Sequence, residues 1–245
     1  MTNGDDSPDS RGGVRGAASW FLHTDNGVVL FLREAGSSAL AVGMVGLLLF
    51  AVSGVWPPLV AVESGSMQPN MVKGDLVFVM EEQRFSPEYA TGDTGIVTAR
   101  TGADQNFRKF GGPGDVIVYQ PNGNARQTPV IHRVRFWVND GENWYEKADQ
   151  SFLGGADDCG ELRNCPAPHA GFITKGDNSV TNDYYDQVKG ISEPVRPSWI
   201  KGTAEYRIPY LGWVRLTVSG TASMDPVAPA AANATAPQSG AFAGA

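Results

Sequence analysis

The longest apolar stretch of the chain lies near its N-terminus and contains no charged residue between positions 35 and 62. Its core reads ALAVGMVGLLLFAVSGV and is followed by Trp56 and two prolines. At about 1.5 Å per residue, a helix of this length crosses the hydrocarbon core of a bilayer. Tryptophan is frequent at the membrane interface, and paired prolines end a helix. The pattern predicts a transmembrane anchor over residues 35–62.

The segment before this stretch, residues 1–34, is polar and carries charges of both signs. A cleaved secretory signal is the main alternative, but its apolar core spans only about 7–15 residues close to the N-terminus. The longer run behind a polar leader therefore favours an uncleaved anchor. Three arginines precede the span, and only Lys73 follows it closely. The positive-inside tendency then predicts a cytoplasmic leader and an extracytoplasmic position for the residues after 62.

Beyond the anchor the pattern changes to short runs rich in Val, Ile, Phe and Thr, separated by turn residues. These runs are 76–80, 95–98, 116–119, 130–138 and 171–174. Because no long helical periodicity appears after the anchor, a mainly β domain is expected over 63–218, with irregular insertions near 81–110 and 139–169. The last residues, 219–245, are rich in Ala, Pro and Gly and predict a disordered tail.

Composition narrows the function classes. The formal net charge is -7, which argues against nucleic acid as a partner. Cys159 and Cys165 lie close together without a matching set of cysteines and histidines, so no zinc site of the usual pattern is expected. Outside a cell they could close a small surface-loop disulfide, and in either case they are interpreted as loop residues without a catalytic role. Neither a cofactor nor a metal is expected.

The first candidate for chemistry is Ser66, in the small-residue segment that follows the anchor. A serine flanked by glycine can be presented on a tight turn with its hydroxyl and its backbone N–H accessible. An isolated Ser-Gly-Ser is usually a plain linker. Here Pro69 and the turn at Lys73-Gly74-Asp75 lead directly into a strong strand, so the serine is expected at the edge of a folded domain.

A serine needs a base to become a good nucleophile, and the chain has three histidines. His23 precedes the anchor and is expected on the opposite side of the membrane from Ser66. His169 lies in the cysteine-bearing loop between prolines and a glycine. A lone histidine in a strand is usually an ordinary structural residue, but elimination leaves His132, in the run 130–138, as the well-placed base.

An imidazole base also needs an acceptor that fixes its tautomer. The segment 174–183 supplies two carboxylates, Asp177 and Asp183. Gly176-Asp177-Asn178 is also strong turn chemistry, so one aspartate can shape the loop while the other meets the histidine. From the residues alone, the order of these two roles stays open.

Together these segments resemble type I signal peptidases, specifically the archaeal and endoplasmic-reticulum branch. In chain order, the matching segments are Ser64-Gly65-Ser66-Met67-Gln68-Pro69 with Gly74-Asp75-Leu76-Val77, Gly114-Asp115-Val116-Ile117-Val118-Tyr119, Ile131-His132-Arg133-Val134, Thr174-Lys175-Gly176-Asp177-Asn178 with Asp183, and Ile208-Pro209-Tyr210-Leu211-Gly212-Trp213. Each segment is weak alone, but five in the family's order are strong evidence. The chain departs from the pattern in the long stretches 81–113 and 139–170, which are interpreted as surface insertions.

The resemblance implies a signal-peptidase-like antiparallel β catalytic domain and a serine endopeptidase that removes N-terminal signal peptides from exported preproteins. Ser66 is the implied nucleophile and His132 the base and then the acid. The Ser66 N–H and the Ser64 hydroxyl would stabilise the oxyanion, and Met67 belongs to the same binding segment. Asp183 is the favoured partner of His132, with Asp177 as a second required carboxylate.

The implied partners are signal-peptide-bearing preproteins, the lipid bilayer and the secretion translocon, and the implied location is the plasma membrane. The distance along the chain agrees, because Ser66 lies four residues beyond position 62, within roughly 14 Å of the end of the predicted span. Two alternatives remain: a Ser-Lys peptidase of a related fold, for which Lys175 is the lysine inside a matching segment, and a non-catalytic membrane-anchored β module.

Overall fold

The computed structural model describes residues 13–218 and shows a mainly antiparallel β domain behind an apolar helix. Within that range the helices are α1 Gly13–His23, α2 Gly27–Ser53, α3 Ala99–Asp104, α4 Asp186–Lys189 and α5 Gly212–Val218. The strands are β1 Leu59–Ala61, β2 Leu76–Met80, β3 Arg108–Lys109, β4 Gly112–Pro113, β5 Val116–Tyr119, β6 Val130–Val138, β7 Gly171–Lys175 and β8 Ile200–Ile208. The expected fold class is therefore confirmed.

Helix α2 is the one helix among residues 13–218 that is long and apolar enough to cross a membrane. Its first turn is capped by the Asn26 side chain, which accepts hydrogen bonds from the N–H groups of Val28 and Val29. At its end Gly54 adopts a left-handed conformation and donates its N–H to the Phe50 carbonyl.

The helix differs from the predicted span 35–62 at both ends. It begins at Gly27, inside the predicted leader, and residues 59–61 form β1 because their backbone pairs with β2. A short apolar run of this kind has no periodicity that separates strand from helix. Helix α1 was not predicted, whereas the remaining leader residues 1–12 and the predicted tail 219–245 lie outside the described residues.

Six strands form one antiparallel sheet in the order β1-β2-β8-β5-β6-β7. Strand β5 is buried on both faces, with Val116 and Val118 in one apolar cluster and Ile117 and Tyr119 in another. The predicted strand at 95–98 is absent from this sheet. Its polar backbone groups instead pair locally with Thr91 and Asp115, so it runs as an extended loop into α3.

The insertion 139–170 folds into a satellite apolar cluster against β6 and β7, built around the fully buried Trp144. Within it, Cys159 and Cys165 form a disulfide. The sequence left open whether these two cysteines are bonded, and the structure shows that they are. The other insertion carries α3 and the two-residue strands β3 and β4.

Candidate active site

The turn that carries Ser66 lies between β1 and β2 and is held from two sides. Beneath it, Met67 is buried in the core cluster that also contains residues of β2 and β5. From the side, the segment after β7 bonds its backbone, since Asn178 N–H donates to the Ser66 carbonyl at 2.9 Å and Asn178 Nδ2 donates to the Gly65 carbonyl at 2.9 Å. The Ser66 hydroxyl, half-buried, lies 3.1 Å from the Ser64 hydroxyl.

His132 lies in β6 and is almost fully buried. Its Nδ1 is 2.7 Å from Oδ2 of Asp186, the first residue of α4. An N–H on Nδ1 that donates to this carboxylate leaves Nε2 as the acceptor. Nε2 in turn lies 3.4 Å from the amide nitrogen of Asn182. This is the tautomer that a general base needs.

Asp186 is fully buried, and three donors converge on its Oδ2. Besides His132, these are the Thr174 hydroxyl at 2.6 Å and the Tyr119 hydroxyl at 2.9 Å. Burial alone would raise the pKa of Asp186, but the charge and hydrogen bond of His132 and the two hydroxyls outweigh it and lower that pKa. Burial, followed by the Asp186 charge, raises the pKa of Tyr119 well above its ordinary value, so the phenol stays a donor.

Asp177 serves a different partner. Its carboxylate accepts from Arg133 in a bidentate pair, Nε to Oδ1 at 2.8 Å and Nη2 to Oδ2 at 2.5 Å, and from Asn70 Nδ2 at 2.8 Å. The Arg133 guanidinium is 1 % exposed and also donates to the carbonyls of Lys109 and Gly114. Asp177 therefore links the strand of the histidine, the insertion before β5 and the nucleophile segment.

The acid favoured from the sequence, Asp183, does not meet His132. Its carboxylate is exposed and pairs with Lys189 at 3.2 Å. The favoured pairing of Asp183 with His132 is therefore not found in the structure, and neither is the alternative pairing with Asp177. The role of Asp177 as a second required carboxylate stays a prediction. The physical reason is the path of the loop, which leaves the Asp183 side chain facing solvent and buries Tyr185 and Asp186.

Ser66 and His132 line the same cavity, which has a volume of about 980 Å³. Ser64, Ser66 and Met67 line it from one side, and residues 128–132, which include His132, line it from another. Residues 55–57, directly after the membrane-length helix, form a further wall. Asp177, Asp183 and Asp186 do not line it.

Sequence reasoning missed Asp186, Asn182, Tyr119 and Thr174. The available signal for Asp186 was modest: it lies three residues beyond Asp183 and follows two tyrosines. An aromatic neighbour such as Tyr185, buried in the satellite cluster, indicates backbone that enters the core rather than a solvated loop. The cross-strand neighbours Tyr119 and Thr174 could not be placed without the register of the sheet.

Comparison with known proteins gives the family context. No family model matches the chain. The chain is 26% identical over 174 residues to a signal peptidase complex catalytic subunit of Aspergillus oryzae, which covers 71% of each chain. It is also 26% identical over 162 residues to a signal peptidase complex catalytic subunit of Saccharomyces cerevisiae, which covers 66% of each chain.

A buried carboxylate-bonded histidine that lines the same cavity as a serine on a tight turn is the arrangement expected of the class to which the relatives point, the serine endopeptidases. The relatives make the kind of peptidase more specific. They confirm the resemblance to type I signal peptidases of the endoplasmic-reticulum branch.

Proposed function

We propose that this protein removes N-terminal signal peptides from exported preproteins, with Ser66 as nucleophile, His132 as base and Asp186 as the carboxylate that orients the imidazole. The observation that carries the proposal is the shared cavity, which places the serine and a carboxylate-bonded histidine beside the end of the membrane-length helix. The named activity of both relatives supports the same substrate class.

Each of these residues has its own role in the reaction. Nε2 of His132 takes the proton of the Ser66 hydroxyl as Oγ attacks the carbonyl carbon at the cleavage site, and the charge of Asp186 stabilises the imidazolium. The Ser66 N–H and the Ser64 hydroxyl face the developing oxyanion, where one such donor lowers the barrier by about 2.7–4 kcal/mol. His132 then gives its proton to the leaving amine, and water hydrolyses the acyl-enzyme by the reverse roles.

The cavity, a groove that Ser66 and His132 both line, also fits an extended peptide that arrives from a membrane. Its walls include residues 55–57 and 60–64, the end of β1 and the residues after it, so a substrate whose apolar segment is still in the bilayer meets the serine close to the membrane surface. We propose the plasma membrane as the location, with the leader in the cytoplasm and the catalytic domain on the other side. The Cys159–Cys165 disulfide supports the non-cytosolic position of the domain. The secretion translocon is the proposed partner that delivers the substrate.

The test is cleavage of a preprotein by the full-length protein in detergent. Ser66→Ala and His132→Ala are each expected to remove cleavage. The chain offers a matched control, because His169 is also a buried histidine paired with a carboxylate, Glu193, at 3.1 Å. His169→Ala should leave the rate within a few-fold of the wild type. Cleavage that survives Ser66→Ala would overturn the proposal.

The same variants distinguish the proposed mechanism from the Ser-Lys alternative. Lys175 is outside the cavity lining, donates to the Gly176 carbonyl and lies over the Phe152 ring. Burial and the charge of Arg135 lower the pKa of Lys175, but nothing in its geometry aims it at Ser66. A lysine-base enzyme would survive His132→Ala and lose activity in Lys175→Ala, the reverse of what we expect.

A further inference from the structure

The insertion 139–170 contacts the residues on both sides of Asp186. On one side, the Tyr185 N–H donates to the Phe152 carbonyl at 3.2 Å, and the Tyr185 hydroxyl accepts from the Asp149 N–H at 3.1 Å. On the other side, the carbonyl of Gln187 accepts from Asn164 Nδ2 at 3.1 Å. Two of these partners, Phe152 and Asn164, lie in the satellite cluster or directly beside it.

These contacts matter because α4 contains only four residues. An isolated helix of that length has no stability of its own in water, so tertiary contacts must fix its position. The sheet holds the Asp186 side chain through His132, Thr174 and Tyr119, but these bonds meet one oxygen atom. The buried Gln187 side chain also bonds β7, where its Oε1 accepts from the Thr174 N–H at 3.0 Å. The insertion adds a further set of bonds, and these are made to the backbone of Tyr185 and Gln187 on either side of Asp186.

Asn164 is the residue through which the disulfide reaches α4. It adopts a left-handed conformation, with φ of 61°, and its carbonyl accepts from the Trp144 indole N–H at 2.8 Å. Its neighbour Cys165 is bonded to Cys159, and the closed loop also carries Leu162, which is buried in the cluster. The disulfide thus fixes the stretch from which the Asn164 amide reaches the Gln187 carbonyl.

We propose that Asn164, held by the Cys159–Cys165 disulfide, is a positioning residue for Asp186, so that full peptidase activity requires the disulfide. The proposal rests on the proposed function, since it acts through the pairing of Asp186 with His132. It assigns a role in catalysis to an insertion that contributes no residue to the cavity lining.

The side-chain arm of the test compares Asn164→Gly with Asn106→Gly. Both asparagines have a positive φ, 61° and 54°, which glycine accepts, but Asn106 is exposed and remote from α4. Asn164→Gly is expected to lower kcat about tenfold with KM within about twofold, because the reacting groups shift while the groove is unchanged. The acid limb of its kcat/KM profile moves to lower pH, since the imidazolium loses part of its carboxylate partner. Asn106→Gly should change neither.

The redox arm uses dithiothreitol, which reduces the disulfide to two thiols and is itself oxidised to a cyclic disulfide. Reduced enzyme and the Cys159→Ser/Cys165→Ser variant should show the same loss of kcat and the same shift of the acid limb. Adding Asn164→Gly to the double serine variant should lower kcat little further. Both changes act on the same contact between Asn164 and α4, so their effects are not additive. Activities are taken per folded molecule, with folding checked by circular dichroism.

Two outcomes separate the two proposals. If Asp186→Asn cleaves like the wild type, the proposed triad is wrong. If Asp186→Asn is inactive, but Asn164→Gly and the reduced enzyme keep wild-type kcat and pH profile, only the positioning role is wrong. A variant with a lowered melting temperature and an unchanged pH profile would likewise show that Asn164 stabilises the insertion without positioning Asp186. Asn164→Asp, which sets an acceptor against the Gln187 carbonyl, must then match the wild type as well.

Discussion

Replacing Asp186 by asparagine removes one charge from the site and changes little else. Three donors converge on Oδ2 of Asp186, whereas Oδ1 is buried and has no hydrogen-bond partner among the described residues. An asparagine can keep its carbonyl oxygen at the three donors and place its NH₂ where Oδ1 was. The cost of that unpaired buried donor is about 1–3 kcal/mol in stability, so the variant should fold.

The catalytic loss is expected to be much larger. In the proposed mechanism, the imidazolium that forms when His132 takes the serine proton is stabilised by the fully buried Asp186 carboxylate, which lies 2.7 Å from Nδ1. The corresponding substitution in the Ser-His-Asp template lowers kcat by about 10⁴. We expect a loss of about 10² to 10⁴, which is about 3–5 kcal/mol in the barrier.

The assay is the initial rate of preprotein cleavage by full-length enzyme at saturating substrate, with Asp183→Asn as the matched control. Asp183 is exposed and paired with Lys189, so its replacement should leave kcat within about twofold. The reasoning is refuted if Asp183→Asn loses activity more than a hundredfold while Asp186→Asn keeps more than a tenth. That pattern would restore the assignment favoured by the sequence.

Three further variants follow from the structure. Gly176→Ala places a Cβ 2.5 Å from the Ser66 carbonyl, so kcat should fall about a hundredfold, whereas Gly36→Ala, whose Cβ meets nothing within 4 Å, should be silent in the same cleavage assay. Asp177→Asn leaves the buried Arg133 guanidinium without its charge partner and should lower the free energy of unfolding by about 3–5 kcal/mol, measured by denaturant titration; an unchanged midpoint would contradict this. Burial raises the pKa of Asp115 to about 6, so the wild type should lose stability as pH rises from about 4 through 6, by up to about 3 kcal/mol. Asp115→Asn, which keeps an acceptor for the Val97 N–H, should lack that loss in melts at pH 4.5 and 7.5, and equal slopes would refute the assignment.

The sign for Asp115 is opposite to that for Asp186. A raised pKa means that the folded state holds the proton more tightly than the unfolded chain, so ionisation above about pH 4 opposes folding. The pKa of Asp186 is lowered, so its carboxylate contributes stability above the unfolded value and loses it as pH falls through the folded one. As pH falls, protonation of Asp115 therefore increases the free energy of unfolding, whereas protonation of Asp186 decreases it.

The residues that sequence could identify are those whose type is rare in its surroundings. Ser66 lies in a small-residue turn before a strand, and His132 interrupts a β-branched run, so each was visible without knowledge of the fold. The strand β6 was also predicted with its observed bounds, 130–138, because its pattern and length are typical of a strand.

The acid could not be chosen in the same way. Asp177, Asp183 and Asp186 lie within one segment rich in turn-forming residues, and their roles depend on which part of it enters the core. That is decided by Tyr185, whose ring packs against Phe136 and Trp144, residues remote in sequence. Local turn chemistry predicts that Asp177 shapes the loop. Only these long-range contacts show that Asp186, and not Asp183, is the carboxylate beside His132.

Consecutive residues of β6 explain why one loop supplies both carboxylates. Side chains alternate across a strand, so His132 and Arg133 point to opposite faces of the sheet. His132 meets Asp186 on the face of its cross-strand neighbour Ile117, and Arg133 meets Asp177 on the face of Val116. The loop from Asp177 to Asp186 therefore passes around the sheet edge and is fixed at both of its ends.

Between these two ends the same loop bonds the nucleophile turn through Asn178. One segment is thus bonded to both the serine turn and the histidine. A substitution that moves this segment should lower kcat without emptying the groove, because the cavity walls come mainly from the nucleophile turn, β1 and the start of β6. Of the loop 177–186, only Asn182 lines the cavity, so a shift of this loop is expected to change kcat more than KM.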